Sequence, residues 1–371
     1  MTRNDNTFAR KQSKTVHTLC CIVFCVFSFL YLYLYQADVL TVAQHILSEG
    51  ATAYDPLIGA CVITLALLLV HVFVYSVVSL YRWLYWLSYL PSFLLLAALT
   101  DLQPAHYASV YDTSWLWIAP LVLVLYGMGV RLMRELDSLC RDVSPGNIFS
   151  KSMWINLSGV TLLMLFVTAV THTDVTMHHR IKIENCISTG DYDAALRVGT
   201  GYEDTDASLT MLRIYSLARK GQLPERLFQY PLSGGSRAFY PDGDRVKALM
   251  VDNGDITRFI RSTRMGRRSV KADYKLCALL ADCQLNTFAR ELNKYYAADA
   301  QLPRYYKEAM VLYSDLRRND TCAYAGADMN AAYRRFADAR KNLSTRREIR
   351  SALKSEYSDT YWYYYTVRTT R

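Results

Sequence analysis

The stretch His17–Tyr35, HTLCCIVFCVFSFLYLYLY, decides the fold of the first half of the chain. It contains no Lys, Arg, Asp or Glu. A bilayer core is about 30 Å thick, so a helix that crosses it needs roughly 20 mostly apolar residues. Lipid offers no hydrogen bonds to the backbone, and a crossing segment must therefore satisfy its own. The stretch predicts a transmembrane helix.

Four further apolar runs follow, and each predicts a helix of the same kind. We place the five spans at about residues 17–35, 57–80, 83–100, 114–130 and 153–171. Several tryptophans lie at or near the ends of these spans, where an indole ring can contact both acyl chains and headgroups. A cleavable signal peptide is the alternative for the first run. Its apolar part is long and no small-x-small site follows promptly, so we expect a retained span.

Basic residues alternate from one side of the predicted spans to the other. The tail 1–16 holds four of them, the segment 36–56 holds none, Arg82 lies in the next link, and 101–113 again holds none. The loop after the fourth span then carries Arg131, Arg134, Arg141 and Lys151. Cytoplasmic loops are enriched in Lys and Arg. We therefore expect a cytoplasmic N-terminus and, after five crossings, an extracytoplasmic C-terminal half.

The second half of the chain is polar and basic. The net charge of the whole chain is +9, and from Arg180 onward basic residues appear every few positions. Such a charge can attract nucleic acid, anionic lipid or another anionic polymer. The expected compartment argues against nucleic acid, which leaves membrane lipid and an unknown protein or peptide as expected partners.

Short turns punctuate the second half at intervals of roughly 30 residues, close to the period of tetratricopeptide repeats. The clearest, Gly190–Leu196 (GDYDAAL), is followed by related turns at Gly221–Phe228, Gly254–Phe259 and, more weakly, Cys283–Phe288. A fifth hairpin is expected to pair 302–316 with 329–343, whereas 230–243 fits no helix and predicts an ordered loop. An ordinary helical domain with Gly-terminated helices is the alternative.

The predicted fold is therefore all-α: a polytopic bundle of about five transmembrane helices followed by a tetratricopeptide-like α-solenoid. Residues 1–16 form a cytoplasmic basic tail, 17–173 the transmembrane domain, and 174–371 an extracytoplasmic helical-hairpin repeat domain with an aromatic tail.

Four segments also carry a resemblance to a known family: Gly221–Pro231 (GQLPERLFQYP), Leu276–Tyr296 (LCALLADCQLNTFARELNKYY), Leu302–Tyr313 (LPRYYKEAMVLY) and Asp359–Tyr365 (DTYWYYY). They resemble polytopic inner-membrane proteins of Bacteroidetes-type bacteria with a C-terminal tetratricopeptide-like domain. The resemblance implies a bacterial inner membrane with the repeat domain in the periplasm, and it implies no reaction. Cys283 departs from the pattern, because a turn Gly or Asp would be more comfortable there.

The sequence gives only weak evidence for a metal site or for disulfide bonds. His172, Asp174, His178 and His179 cluster after the fifth span, but their spacing matches no closed metal site, and we expect a juxtamembrane linker. Four cysteines of the C-terminal half could form disulfides in an oxidising compartment, although free thiols are the commoner outcome. They are Cys186, Cys277, Cys283 and Cys322.

Two groups of residues are candidate contacts for a partner or for lipid. The run from Arg258 to Lys271 is basic, and Arg261, Arg264 and Arg268 would share one face of a helix. The aromatic tail, with Tyr361 and Trp362, is expected either to cap the last repeat or to dock on a membrane or partner. A solvated helix face is the ordinary interpretation of the arginines.

Catalytic motifs are missing from the sequence: it has no G-x-x-x-x-G-K-[ST], G-x-S-x-G, H-E-x-x-H or C-x-x-C. We expect no cofactor and a non-catalytic binding or scaffold role. The alternative is a membrane-embedded enzyme or transporter of envelope lipid or glycan, with Asp101, His106 and Asp112 acting at the outer face. His71, the one ionisable residue well inside a predicted span, is expected to be neutral and bonded to a neighbouring helix.

Overall fold

The computed structural model describes residues 3–78, 82–101, 114–136, 151–171, 175–243, 245–262, 264–265, 268–296, 301–317 and 326–370. The chain divides into two compact units, which we term the membrane unit (Met1–Asp174) and the C-terminal unit (Val175–Arg371).

The described residues of the membrane unit are mostly helical, with a turn and loop at 48–55. Its elements are α1 (Arg3–Leu30), a π helix (Tyr31–Tyr35), α2 (Ala37–Leu47), α3 (Pro56–Val77), a 3₁₀ helix (Arg82–Tyr89), α4 (Leu90–Thr100), α5 (Trp115–Leu136) and α6 (Lys151–Val170). Four segments are helices long and apolar enough to cross a membrane: Thr15–Tyr35, Pro56–Val77, Trp115–Leu132 and Ser152–Val170. They coincide with four of the five predicted spans and indicate a membrane protein.

The remaining predicted span, 83–100, is not a continuous α-helix. Arg82–Tyr89 forms a 3₁₀ helix, and α4 begins only at Leu90, with Pro91 in its first turn. Proline has no backbone N–H to donate and clashes with the preceding turn, so an α-helix cannot run through it undisturbed. The tighter 3₁₀ geometry of the preceding residues is the consequence.

Close packing against α6 holds this 3₁₀ helix in place. The Asn156 side-chain oxygen accepts the backbone N–H of Trp86 at 2.9 Å. The Trp86 ring lies over Gly159, where an added Cβ would come within 2.3 Å of it. Only glycine leaves room for the indole at this position. Asn156 supplies the hydrogen bond that the apolar surroundings would not.

The C-terminal unit is a set of short helices with one minimal β-ladder. Its α-helices are α7 (Val175–Ser188), α8 (Tyr192–Arg197), α9 (Ala207–Arg219), α10 (Leu223–Arg226), α11 (Asn253–Ser262), α12 (Val270–Ala281), α13 (Leu285–Tyr295), α14 (Arg304–Leu316), α15 (Ala327–Arg340), α16 (Arg346–Tyr357) and α17 (Tyr361–Thr369). The ladder joins β1 (Arg264–Met265) to β2 (Arg268–Ser269) in antiparallel register.

Three of the four predicted turns have the expected left-handed residue. Gly190, Gly221 and Cys283 end their helices with φ of 77°, 67° and 58°. Cys283 therefore adopts the conformation that disfavours a side chain. The remaining turn, Gly254–Phe259, was wrongly predicted, because Gly254 lies inside the first turn of α11 rather than after a helix.

The segment between α10 and α11 is more regular than predicted. Gly235–Phe239 forms a 3₁₀ helix that packs between α9 and α12. An Asp282 carboxylate oxygen accepts the Ser236 backbone N–H at 2.8 Å. A Cβ on Gly235 would come within 2.4 Å of that oxygen, so this position has to be glycine. The predicted pairing of the fifth hairpin is observed, since α14 packs against α15.

Candidate functional site

An open cleft of about 560 Å³ lies beside α11 in the C-terminal unit, and the predicted basic run borders it. Its lining consists of Pro241, Asn253, Gly254, Thr257, Arg258 and Arg261. One wall is therefore one side of α11 from its first to its last turn, with the two guanidinium groups toward its C-terminal end. The cleft can accept a polar or anionic segment, since arginine side chains favour negative charge.

The amphipathic pattern of α11 fixes which side faces the cleft. Ile256 and Ile260 are buried in the core, 0% and 1% exposed. Arg258 and Arg261 are exposed on the opposite side. Arg258 pairs with Asp255, one turn earlier, at 2.8 Å. Both partners of that pair are largely exposed, so the ion pair contributes little to stability. Its main effect is to orient the Arg258 side chain.

A buried carboxylate holds the loop that leads into α11. Both Leu249 and Met250 donate their backbone N–H groups to Glu184 Oε2, at 2.7 and 2.6 Å. Arg180 lies beside the same carboxylate, 3.4 Å away, and also donates to the Lys247 carbonyl. Burial raises the pKa of Glu184, against the opposing effects of Arg180 and the backbone donors. This carboxylate fixes the wall of the cleft from inside the unit.

The predicted shared helical face of Arg261, Arg264 and Arg268 is wrong. Helix α11 ends at Ser262, and the next residues turn into the β-ladder, where Arg264 is paired with Ser269 and Met265 with Arg268. The backbone of Arg264 and Arg268 is described, but their side chains lie outside the described part of the structure. Among these three, Arg261 is placed at the cleft.

The aromatic tail folds into the core of the C-terminal unit as α17. Tyr361 and Trp362 are 0% and 2% exposed. The Trp362 indole donates to the Glu308 carbonyl at 2.8 Å, and the Tyr361 ring packs on Phe228 with centroids 5.0 Å apart. These two side chains accordingly contact the protein's own helices and are not part of its accessible surface.

An ionic network centred on the buried Glu308 carboxylate fastens α17 to α14. Glu308 accepts the Tyr361 backbone N–H at 2.6 Å and the Arg304 Nε–H at 2.8 Å. Arg304 also pairs with Asp359 at 3.0 Å, and its backbone N–H donates to Glu225 at 2.9 Å. Sequence reasoning missed this network. Its only signal was an acidic and a basic residue four positions apart, Arg304 and Glu308, a spacing common on solvated helices.

In the membrane unit, His71 is buried and hydrogen-bonded to the 3₁₀ helix, as its position predicted. Its Nε2 lies 3.1 Å from the Tyr85 hydroxyl, and its Nδ1 lies 3.3 Å from the Ser88 hydroxyl. The imidazole also stacks on Tyr89, with ring centroids 3.7 Å apart. Its polar atoms are thus matched by protein groups.

The residues of the alternative outer-face site are not assembled by the described structure. Asp101 is 5% exposed rather than accessible to water, and its Oδ2 accepts the Trp115 indole N–H at 2.8 Å. His106 and Asp112 lie outside the described residues.

The metal and disulfide signals are equally weak in the structure. His172, Asp174 and Cys322 lie outside the described residues. Within the described ranges, no three His, Cys, Asp or Glu side chains come together as a metal site would require. Cys186, Cys277 and Cys283 are thiols rather than disulfides, and burial raises the pKa of Cys277 well above its ordinary value.

Comparison with known proteins returned one match. No curated protein matches the chain, and no solved structure does. Residues 263–368, which run from the β-ladder to α17 and include the network around Glu308, match a protein family described as a family of unknown function (DUF6057).

Proposed function

We propose that this chain is a non-catalytic binding or scaffold protein, anchored in a bacterial inner membrane and presenting its C-terminal unit to a protein or peptide partner in the periplasm. The observation that carries the proposal is the open cleft beside α11, which Arg258 and Arg261 border. The cleft is a concave surface of the C-terminal unit, and the apolar helices of the membrane unit anchor the chain. In this proposal the hairpins of the C-terminal unit stack as degenerate tetratricopeptide-like repeats, an architecture that offers extended binding surfaces.

The periplasmic placement requires an odd number of crossings, so the segment 83–100 has to cross in addition to the four long apolar helices. The 3₁₀ helix has 8 residues and α4 has 11. At about 2.0 Å rise per residue for a 3₁₀ helix and about 1.5 Å for an α-helix, the two together reach roughly 32 Å, close to the thickness of a bilayer core. The segment is therefore long enough to serve as a fifth crossing, although its α-helical part alone is not. With this segment as a fifth crossing, the alternation of basic residues supports a C-terminal unit outside the cytoplasm.

The partner we infer is a segment of extended chain that carries acidic side chains. Arg258 and Arg261 offer forked donors that pair well with carboxylates. The N-terminal turn of α11 already carries the Asp252 and Asp255 carboxylates, so the attraction for an acidic segment comes from the two arginines. The alternative of an enzyme or transporter draws no support from Asp101, whose carboxylate is buried against Trp115.

The test is crosslinking and mass spectrometry on intact membranes with the double variant Arg258→Glu/Arg261→Glu. The matched control is Arg347→Glu/Arg350→Glu, which makes the same charge change at the same spacing on exposed positions of α16. We expect a protein crosslinked to the wild type and to the control to be lost from the α11 variant. Recovery of the same partners with all three chains, or of none with the wild type, would contradict the proposal.

A further inference from the structure

The surface of α16 carries a group of basic side chains that the proposed function does not use. Between Arg334 and Lys354 the chain has eight Lys and Arg residues and two acidic residues. Four of the basic residues lie on α16 and form what we term the basic face: Arg346, Arg347, Arg350 and Lys354. All four are exposed, whereas Ile349 and Leu353 of the same helix are 0% and 2% exposed. The core therefore holds α16 with its basic face toward solvent.

Most of the positive charge of the basic face is uncompensated. Its residues recur at intervals of three and four positions, where side chains on a helix are neighbours and like charges are unfavourable. Within the described part of the chain, Lys354 is the one member of the face that forms an ion pair, with Glu203. The Glu348 carboxylate, which lies between them in sequence, instead accepts the Thr345 backbone N–H at 3.1 Å. An anionic surface outside the unit would relieve this repulsion.

Tyrosine side chains of α17 lie beside basic residues of the same region. Helix α17 packs against α16, which brings Tyr363 near Arg350. Tyr365 lies near Arg340, at the end of α15. Both tyrosines are partly exposed. Tyrosine is enriched where proteins meet lipid headgroups, because its ring is apolar and its hydroxyl is polar. Basic and aromatic side chains therefore occur together here, as they do at a membrane surface.

The membrane anchor decides which anionic partner fits the basic face. Four helices of the chain are long and apolar enough to cross a membrane, so the C-terminal unit is tethered to a bilayer. Tethering gives the lipid headgroups a high effective concentration at the unit. Guanidinium groups form paired hydrogen bonds with phosphate oxygens. Each Lys or Arg near an anionic bilayer adds roughly fivefold to the affinity for it.

We propose that the basic face of α16 binds the anionic phospholipid headgroups of the membrane that anchors the chain. The guanidinium groups of Arg347 and Arg350 donate to lipid phosphate oxygens, and the Tyr363 ring lies among the headgroups beside them. This contact uses none of the residues that line the α11 cleft. It is therefore independent of the protein partner proposed for that cleft.

The first test captures lipid at the basic face. A photoreactive phenylalanine analogue replaces Ser351, an exposed residue one helical turn after Arg347. The full chain is reconstituted in vesicles of equal parts phosphatidylcholine and phosphatidylglycerol, and lipid adducts are counted by mass spectrometry after irradiation. We expect phosphatidylglycerol adducts to exceed phosphatidylcholine adducts by about fivefold or more. High salt should remove the excess, because it screens exposed charges. Equal adducts of the two lipids, or none of either, would overturn the proposal.

The second test assigns the excess of phosphatidylglycerol adducts to particular charges. Arg347→Gln/Arg350→Gln removes two charges from exposed positions, and we expect it to remove most of the excess. Arg347→Lys/Arg350→Lys keeps the charges and should keep the excess. Arg258→Gln/Arg261→Gln is the matched control, because it makes the same change at the same spacing on exposed positions of α11, and it should also keep the excess. If the excess survives Arg347→Gln/Arg350→Gln, or if the α11 control lowers it equally, the basic face of α16 is not the lipid contact.

Discussion

Replacing Glu308 by Gln is the sharpest test of how the C-terminal unit is held together. The Glu308 carboxylate is 2% exposed. It joins α14 to α17 through the Tyr361 backbone N–H and also accepts from Arg304 of its own helix. Burial raises its pKa from the ordinary 4.5 to about 7, an effect that Asp359 reinforces and that the hydrogen bonds from Tyr361 and Arg304 oppose. Gln keeps the shape and an acceptor oxygen but cannot ionise.

The sign of the pH dependence follows from the direction of this pKa change. A carboxyl group whose pKa is raised by folding stabilises the fold fully below its ordinary pKa of 4.5, and that stabilisation is lost as the pH rises through about 7. At 1.36 kcal/mol per pKa unit, the difference between the two values is on the order of 3 kcal/mol. The free energy of opening of α17 should therefore fall by this amount between about pH 5 and about pH 8 in the wild type.

Hydrogen exchange of the full chain in detergent micelles measures this opening. Protection factors of the α17 amides, corrected for the intrinsic pH dependence of exchange, give the opening free energy at each pH. Glu308→Gln should remove most of the fall. Glu348→Gln is the control, because hydrogen bonds from the Ser344 and Thr345 backbone lower the pKa of that exposed carboxyl, and it should leave the fall intact. An equal fall in the wild type and in Glu308→Gln would refute the assignment to Glu308.

Three further predictions concern single positions. Glu184→Ala removes the acceptor of the Leu249 and Met250 N–H groups and the counter-ion of Arg180, and should lower the free energy of unfolding by about 3 kcal/mol. Denaturant titration that shows a loss below half of this would contradict the role given to Glu184. Cys283→Gly relieves the left-handed backbone at φ 58° and should raise stability by about 1 kcal/mol, seen as a higher Tm; a lower Tm would show that packing of the thiol outweighs the strain. Asn156→Leu removes the acceptor of the Trp86 N–H and should cost about 1 kcal/mol, read as faster exchange across Arg82–Tyr89; unchanged exchange there would exclude the predicted anchoring.

The apolar spans were the most predictable part of the fold. Their signal is compositional and local, and four of the five coincide with helices of sufficient length. The 3₁₀ helix was not predicted, although Pro91 sits where an α-helix is hardest to continue. Helix α2 was also missed. Its apolar residues are spaced as on an amphipathic helix, but its 11 residues are too few for the length criterion that identified the spans.

In the C-terminal unit, too, features with a local cause could be predicted from the sequence, and contacts between distant residues could not. Gly190 and Gly221 were predictable because a left-handed residue after a helix is a local requirement. The end of α11 at Ser262 was not, since arginines recur at helical spacing beyond it and the first glycine comes only at Gly266. The network of Glu308 with Tyr361 joins residues more than 50 positions apart, a pairing that no periodicity encodes.

The sidedness of the C-terminal unit is the claim on which the proposed partner depends. A reporter enzyme that is active only after export, fused after Arg371 and paired with a reporter that fluoresces only in the cytoplasm, measures it directly. Export activity without cytoplasmic fluorescence is the result expected for five crossings, with the 3₁₀ helix and α4 together making one of them. Fluorescence without export activity would mean an even number of crossings and would place the arginine cleft, and any partner it binds, in the cytoplasm.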